Sequence, residues 1–148
     1  MGSVKDELYD LKPVIMIVED HDALRYSLKS WLGSVFHDCS ILLAKNGEEA
    51  VDKSSVHQPD IVLMDVMLPG INGIEAARRI KKSVPKAQVV ILSIYEDSAY
   101  QADAATAGVY AYIPKRKMGT SLIPMITKLL SGTMQISSDS PSGIKKGQ

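Results

Sequence analysis

The chain has 148 residues, 45% of them hydrophobic, and its 17 basic and 17 acidic side chains leave a formal net charge of zero. That length holds one ordinary domain, and balanced charge leaves no electrostatic footprint for binding nucleic acid. The apolar runs at Val14–Val18, Ile61–Met64 and Val89–Leu92 fall far short of the roughly 20 residues of a membrane span, and the N-terminus lacks a signal-peptide apolar core, so a soluble, cytoplasmic chain with no membrane partner is expected.

In chain order, Val14–Glu19 reads as a strand with a helix from about Asp22, and Ile41–Ala44 as a strand with a helix from Glu48. Ile61–Asp65 precedes a helix from Ile74, and Gln88–Ser93 precedes one from Asp97. A short strand near Tyr110–Ile113 leads to a helix from Ser121. Five such pairs imply a parallel sheet with right-handed crossovers and helices on both faces. Leu24, Leu28, Trp31, Leu32 and Val35 mark the inner face of the first helix, and Leu122, Ile126, Leu129 and Leu130 that of the last. Asn46, Asn72, Asp97 and Ser121 stand at N-cap positions, and Gly108 stands where a C′ glycine is expected. The fourth helix has only Tyr100, Ala104 and Ala107 for an inner face, which predicts weak anchoring.

From Ser131 the pattern stops, so residues 133–148 are expected to form a flexible linker or tail after a domain spanning 13–132, with residues 1–12 as a leader. Cys39 is the only cysteine, which excludes an internal disulfide and reads as a small buried hydrophobe.

Ligands of an open parallel sheet collect beyond the carboxyl ends of its strands. Glu19 and Asp20 close the first strand, Asp65 the third and Ser93 the fourth, and Lys115 follows the fifth. Singly, each has an ordinary role: the first two acids as helix caps, Ser93 in a turn, Lys115 as a solvated charge. Together they are harder to dismiss. Two carboxylates about 4 Å apart repel by roughly 4 kcal/mol at an effective dielectric of 20, and a third calls for a cation. Such donors suit a hard divalent ion, and Mg²⁺ shares its shell with phosphate oxygens. A carboxylate beside Mg²⁺ can attack phosphorus, while a lysine and a hydroxyl suit the phosphoryl oxygens.

With Glu19-Asp20, the run Asp65-Val66-Met67-Leu68-Pro69-Gly70-Ile71-Asn72-Gly73, Ser93 and Lys115, the chain resembles the receiver domain of a two-component response regulator from Pro13 to about Gly132. The segment Ile91–Asp97 is most similar to the branch that usually precedes a C-terminal helix-turn-helix effector. The resemblance implies a three-layer flavodoxin-like (βα)5 fold with strand order 2-1-3-4-5. It implies a phosphoprotein and signalling domain, not an enzyme, in which Asp65 accepts a phosphoryl group from a sensor histidine kinase or phosphotransfer protein. Asp20, Asp65 and the Met67 main-chain carbonyl would bind Mg²⁺, with Glu19 at longer reach or through water. Lys115 and Ser93 would hold the phosphoryl oxygens, and Ser93 and Tyr112 would be the switch residues. The output face would be the fourth helix, fifth strand and fifth helix, serving transcription regulation through an effector outside this chain and a phosphorylation-dependent homodimer.

The sequence departs from the commoner receiver pattern in three places. Glu19 stands for Asp, Ser93 stands for Thr, and Arg116 rather than a cis proline follows Lys115. A cis bond before Arg116 would cost about 2.5–4 kcal/mol, so a trans peptide is expected. Two alternatives remain: a docking receiver that needs no phosphorylation, and an aspartate-nucleophile phosphohydrolase of the haloacid-dehalogenase type. The second wants an acid two residues after its nucleophile, where this chain has Met67.

Overall fold

The computed structural model describes residues 12–138. The strands are β1 (Val14–Val18), β2 (Ser40–Ala44), β3 (Ile61–Asp65), β4 (Gln88–Ser93) and β5 (Ala111–Pro114). They alternate with helices α1 (Asp22–Val35), α2 (Gly47–His57), α3 (Gly73–Ser83), α4 (Ser98–Thr106) and α5 (Met118–Ser138), the last entered through a 3-10 turn at Lys115–Lys117. All strand pairs are parallel, in the order β2-β1-β3-β4-β5. This is the three-layer flavodoxin-like arrangement, with β3 in the middle and every residue of β3 buried.

Strand alternation divides the core into two layers. Met16, Val18, Val62, Met64, Val89 and Ile91 face one way, against Ala50, Ile74, Ala77, Ile80 and Ala104 of α2, α3 and α4. Ile15, Ile17, Ile61, Leu63, Val90 and Leu92 face the other, against Leu28 and Leu32 of α1 and Leu122 and Ile126 of α5. Because chain order reverses between β1 and its two neighbours, the carboxyl ends of β1 and β3 flank the topological switch point where such sheets bind ligands.

Local chemistry sets the boundaries. The side chains of Asn46 and Asn72 accept hydrogen bonds from the amides of Glu49 and Glu75, capping α2 and α3. Asp97 occupies the N-cap of α4 without a side-chain bond to the helix. Gly108 follows α4 with φ of +88°, a left-handed conformation that costs glycine little, and the Val109 amide reaches back to the Ala104 carbonyl.

Four expectations are corrected. Val35 is exposed rather than part of the inner face of α1, because it lies at the last turn. Cys39 is half-buried, packed at the edge of the second layer. The last helix begins at Met118 rather than Ser121, so Pro124 stands inside it. It also runs on to Ser138, past the predicted stop at Ser131, since extending an existing helix needs no new nucleus. The expectations for residues 1–11 and 139–148 lie outside the described residues.

Candidate functional site

The β1 ladder continues one step past the strand, with the Glu19 amide donating to the Ala44 carbonyl at 3.1 Å. Glu19 is therefore held at the sheet edge, buried at 4% exposure. Its Oε2 accepts from the His21 amide at 3.1 Å. Asp20, next in the chain, is exposed. Asp65 ends β3 in register with Leu92, buried at 8% exposure, and its Oδ1 accepts from the Met67 amide at 3.3 Å. The carboxylates of Glu19, Asp20 and Asp65 form a cluster in which one oxygen from each lies within 4.8 Å of the others. Hard oxygen donors at this spacing fit a divalent cation.

Lys115 completes the cluster from two strands away. Ser93 is in register with Pro114, so Lys115 starts just past the end of β5 and crosses the carboxyl end of β4. Its Nζ lies 3.1 Å from Glu19 Oε1 and 3.4 Å from Asp65 Oδ2. Burial pushes the Asp65 carboxyl above its ordinary value; Lys115 opposes the rise and Glu19 adds to it. The site thus holds an amine beside a carboxylate that burial has made costly to ionise.

Ser93 is fully buried, and its Oγ accepts from the Tyr95 amide at 2.9 Å. The Tyr95 carbonyl in turn accepts from the Tyr112 hydroxyl at 2.6 Å, which links β5 to the loop leaving β4. Arg116 reaches the same loop: Nε and a terminal nitrogen bond the two carboxylate oxygens of Glu96 at 2.7 and 2.9 Å. No cis peptide occurs among the described residues, so the Lys115–Arg116 bond is trans. The structure brings Glu19, Asp20, Asp65 and Lys115 together, and it places Ser93 and Tyr112 in an adjoining network. Met67 stands in the loop after Asp65 with its side chain half exposed.

One glycine fixes this corner. A Cβ on Gly73 would sit 1.9 Å from the Asp65 carbonyl oxygen, and the Gly73 amide donates to Val66 at 2.8 Å. Only glycine lets the start of α3 press against the end of β3.

Sequence reasoning missed Arg25, which is buried at 4% exposure beneath the loop that carries Glu19 and Asp20. The signal was present: Arg25, Leu28 and Leu32 follow i, i+3, i+7 spacing, which puts the arginine on the inner face of α1.

The sequence matches the profile of the response regulator receiver domain over residues 15–127. The chain belongs to the response regulator receiver domain family. These are domains of two-component signalling rather than turnover enzymes, and this sets aside the phosphohydrolase reading. Among its relatives, the transcriptional regulatory protein LnrK of Bacillus subtilis (strain 168) is 35% identical over 120 residues, covering 81% of this chain and 54% of that protein. The chain thus spans about half the length of the curated relatives it matches. A two-component response regulator of the LuxR family from Aurantimonas sp. SI85-9A1 superposes with a TM-score of 0.74 at 31% identity, covering 80% of this chain and 85% of that one. The response regulator TrrA of Thermotoga maritima, solved in complex with Mg²⁺-BeF, superposes with a TM-score of 0.69 at 32% identity, covering 79% and 98%.

Proposed function

We propose that this receiver takes a phosphoryl group onto Asp65 from a phosphohistidine of a sensor histidine kinase or phosphotransfer protein. The observation that carries this reading is the convergence of three carboxylates with the Lys115 amine around one buried strand end. A carboxylate oxygen of Asp65 attacks phosphorus, the P–N bond breaks, and the imidazole leaves as the neutral base after taking up a proton. Glu19, Asp20, Asp65 and the Met67 carbonyl would hold Mg²⁺, which when bound supplies positive charge to the crowded oxygens.

Within the chain, Lys115 exchanges its Asp65 contact for a phosphoryl oxygen, holding charge that burial would otherwise penalise. Ser93 gives up the Tyr95 amide and turns its hydroxyl toward the phosphoryl group. The loop then loses its Ser93 tie, and Tyr112 is freed from the Tyr95 carbonyl to turn inward. α4 is the element poised to respond, because only Tyr100, Ala104 and Ala107 anchor it to the core. The output surface is then the face of α4, β5 and α5. A DNA-binding effector in the same protein, a cytoplasmic setting and a phosphorylation-dependent homodimer fit this reading.

The test is an NMR titration with Mg²⁺ and beryllofluoride. Shifts are expected at residues 93–97 and along α4 in the wild type and not in Asp65→Asn. A wild-type spectrum unchanged by the addition would overturn the reading.

A further inference from the structure

Arg25 lies outside the proposed chemistry, yet it is a nearly buried charge a few residues from it. One terminal nitrogen, Nη1, donates to the Glu19 main-chain carbonyl at 2.9 Å. That carbonyl belongs to the peptide group joining Glu19 to Asp20, the two acids that β1 contributes to the cluster. The other, Nη2, bonds Asp22 Oδ1 at 2.6 Å, in the first turn of α1. One planar fork therefore spans the loop, gripping the acid-bearing peptide at one end and the helix start at the other.

A buried guanidinium needs such partners, and a buried carbonyl needs such a donor. The grip also has a direction. Glu19 is tied at its amide by Ala44 and at its carboxylate by His21 and Lys115, so the Arg25 bond fixes the remaining polar group of that residue. Asp20 has an exposed side chain, and the peptide under Arg25 is what determines where its carboxylate starts from.

We infer that Arg25 is a positioning residue for the cation site, holding the Glu19–Asp20 peptide so that both carboxylates meet Asp65. The inference rests on the reading of Glu19, Asp20 and Asp65 as the Mg²⁺ site. It runs against simple charge, since a nearby cation by itself repels Mg²⁺. Removing Arg25 should therefore raise affinity if charge dominates and lower it if geometry does. Geometry is expected to dominate, because groups that orient metal ligands typically set affinity by about 10–100-fold.

The experiment is a calorimetric titration of Mg²⁺ into wild type, Arg25→Met, Arg25→Lys and Asp22→Asn, each with its thermal midpoint measured in EDTA. Arg25→Met should bind about tenfold more weakly. Arg25→Lys, which keeps a donor, should recover part of the loss. Asp22→Asn, which loosens one arm of the fork, should show a smaller loss and carries the test if Arg25→Met does not fold. Arg78→Gln, which removes an exposed pair with Glu75, should leave affinity unchanged. Folded variants that bind within twofold of wild type, or more tightly, would overturn the positioning role alone. A wild type that takes up no Mg²⁺ would overturn the metal site itself, and with it the role of Arg25.

Discussion

Lys115 and Asp65 approach to 3.4 Å from opposite sides of β4, but the same amine lies nearer to Glu19, at 3.1 Å. The lysine is shared between the ends of β1 and β3, and it is their common counter-charge. Lys115→Met leaves two buried carboxylates facing each other, so the metal-free fold should lose on the order of 3–5 kcal/mol at neutral pH. Mg²⁺ at saturating concentration should restore part of that loss. Urea unfolding in EDTA and in Mg²⁺ checks both statements.

Asp65 has the opposite effect on the metal-free fold. Burial raises its carboxyl above the ordinary 3.8, so the folded chain holds that proton more tightly than the unfolded chain. Stability attributable to this group therefore falls as pH rises from 3.8 through the raised value, and the loss persists at neutral pH. Asp65→Asn removes it. The variant should melt above wild type in EDTA at neutral pH, and the gap should close as pH is lowered toward 3.8. Thermal melts across that range give the answer.

Gly73→Ala should be among the most damaging small substitutions. The added Cβ meets backbone at 1.9 Å rather than a side chain that can swing aside, so α3 or the end of β3 must shift. A loss of about 3 kcal/mol is expected, above the usual 1–3 kcal/mol of overpacking only if the shift spreads. Loss of beryllofluoride shifts in a still-folded variant would show that Asp65 had moved with it.

The Glu96–Arg116 pair ties the loop after Ser93 to the turn that carries Lys115. Arg116 holds the Glu96 carboxyl below its ordinary value, but both side chains are well exposed, so screening keeps the coupling small. A double-mutant cycle of Glu96→Gln and Arg116→Gln should give only a small coupling, and one that shrinks at high salt.

Most of this was legible in the sequence for identifiable reasons. Val- and Ile-rich runs bounded by turns gave the strands, with Ile61–Asp65 and Gln88–Ser93 matching to the residue. Asn46 and Asn72 gave two helix starts because a side-chain cap is a local interaction that needs no tertiary partner. The last helix was misread at both ends. Its true start at Met118 depends on the 3-10 turn after β5, and its extension past Ser131 follows from a helix already formed.

The grouping of Glu19, Asp20, Asp65 and Lys115 could be read from strand ends alone, because a parallel sheet brings them to one edge. Arg25 could not be weighed in the same way. Its role depends on a fold-back of six residues onto the Glu19 carbonyl, and main-chain partners leave no mark in a pattern of side chains. The Tyr112–Tyr95 bond is hidden for the same reason.

Asp65 is proposed as the phosphoacceptor, and intact-mass spectrometry reads that directly. The chain is incubated with acetyl phosphate, with Mg²⁺ or with EDTA, alongside Asp65→Asn. The wild type should gain the mass of one phosphoryl group in Mg²⁺ alone, and peptide mapping should place it on Asp65. No mass gain in Mg²⁺, or an equal gain in Asp65→Asn, would contradict it.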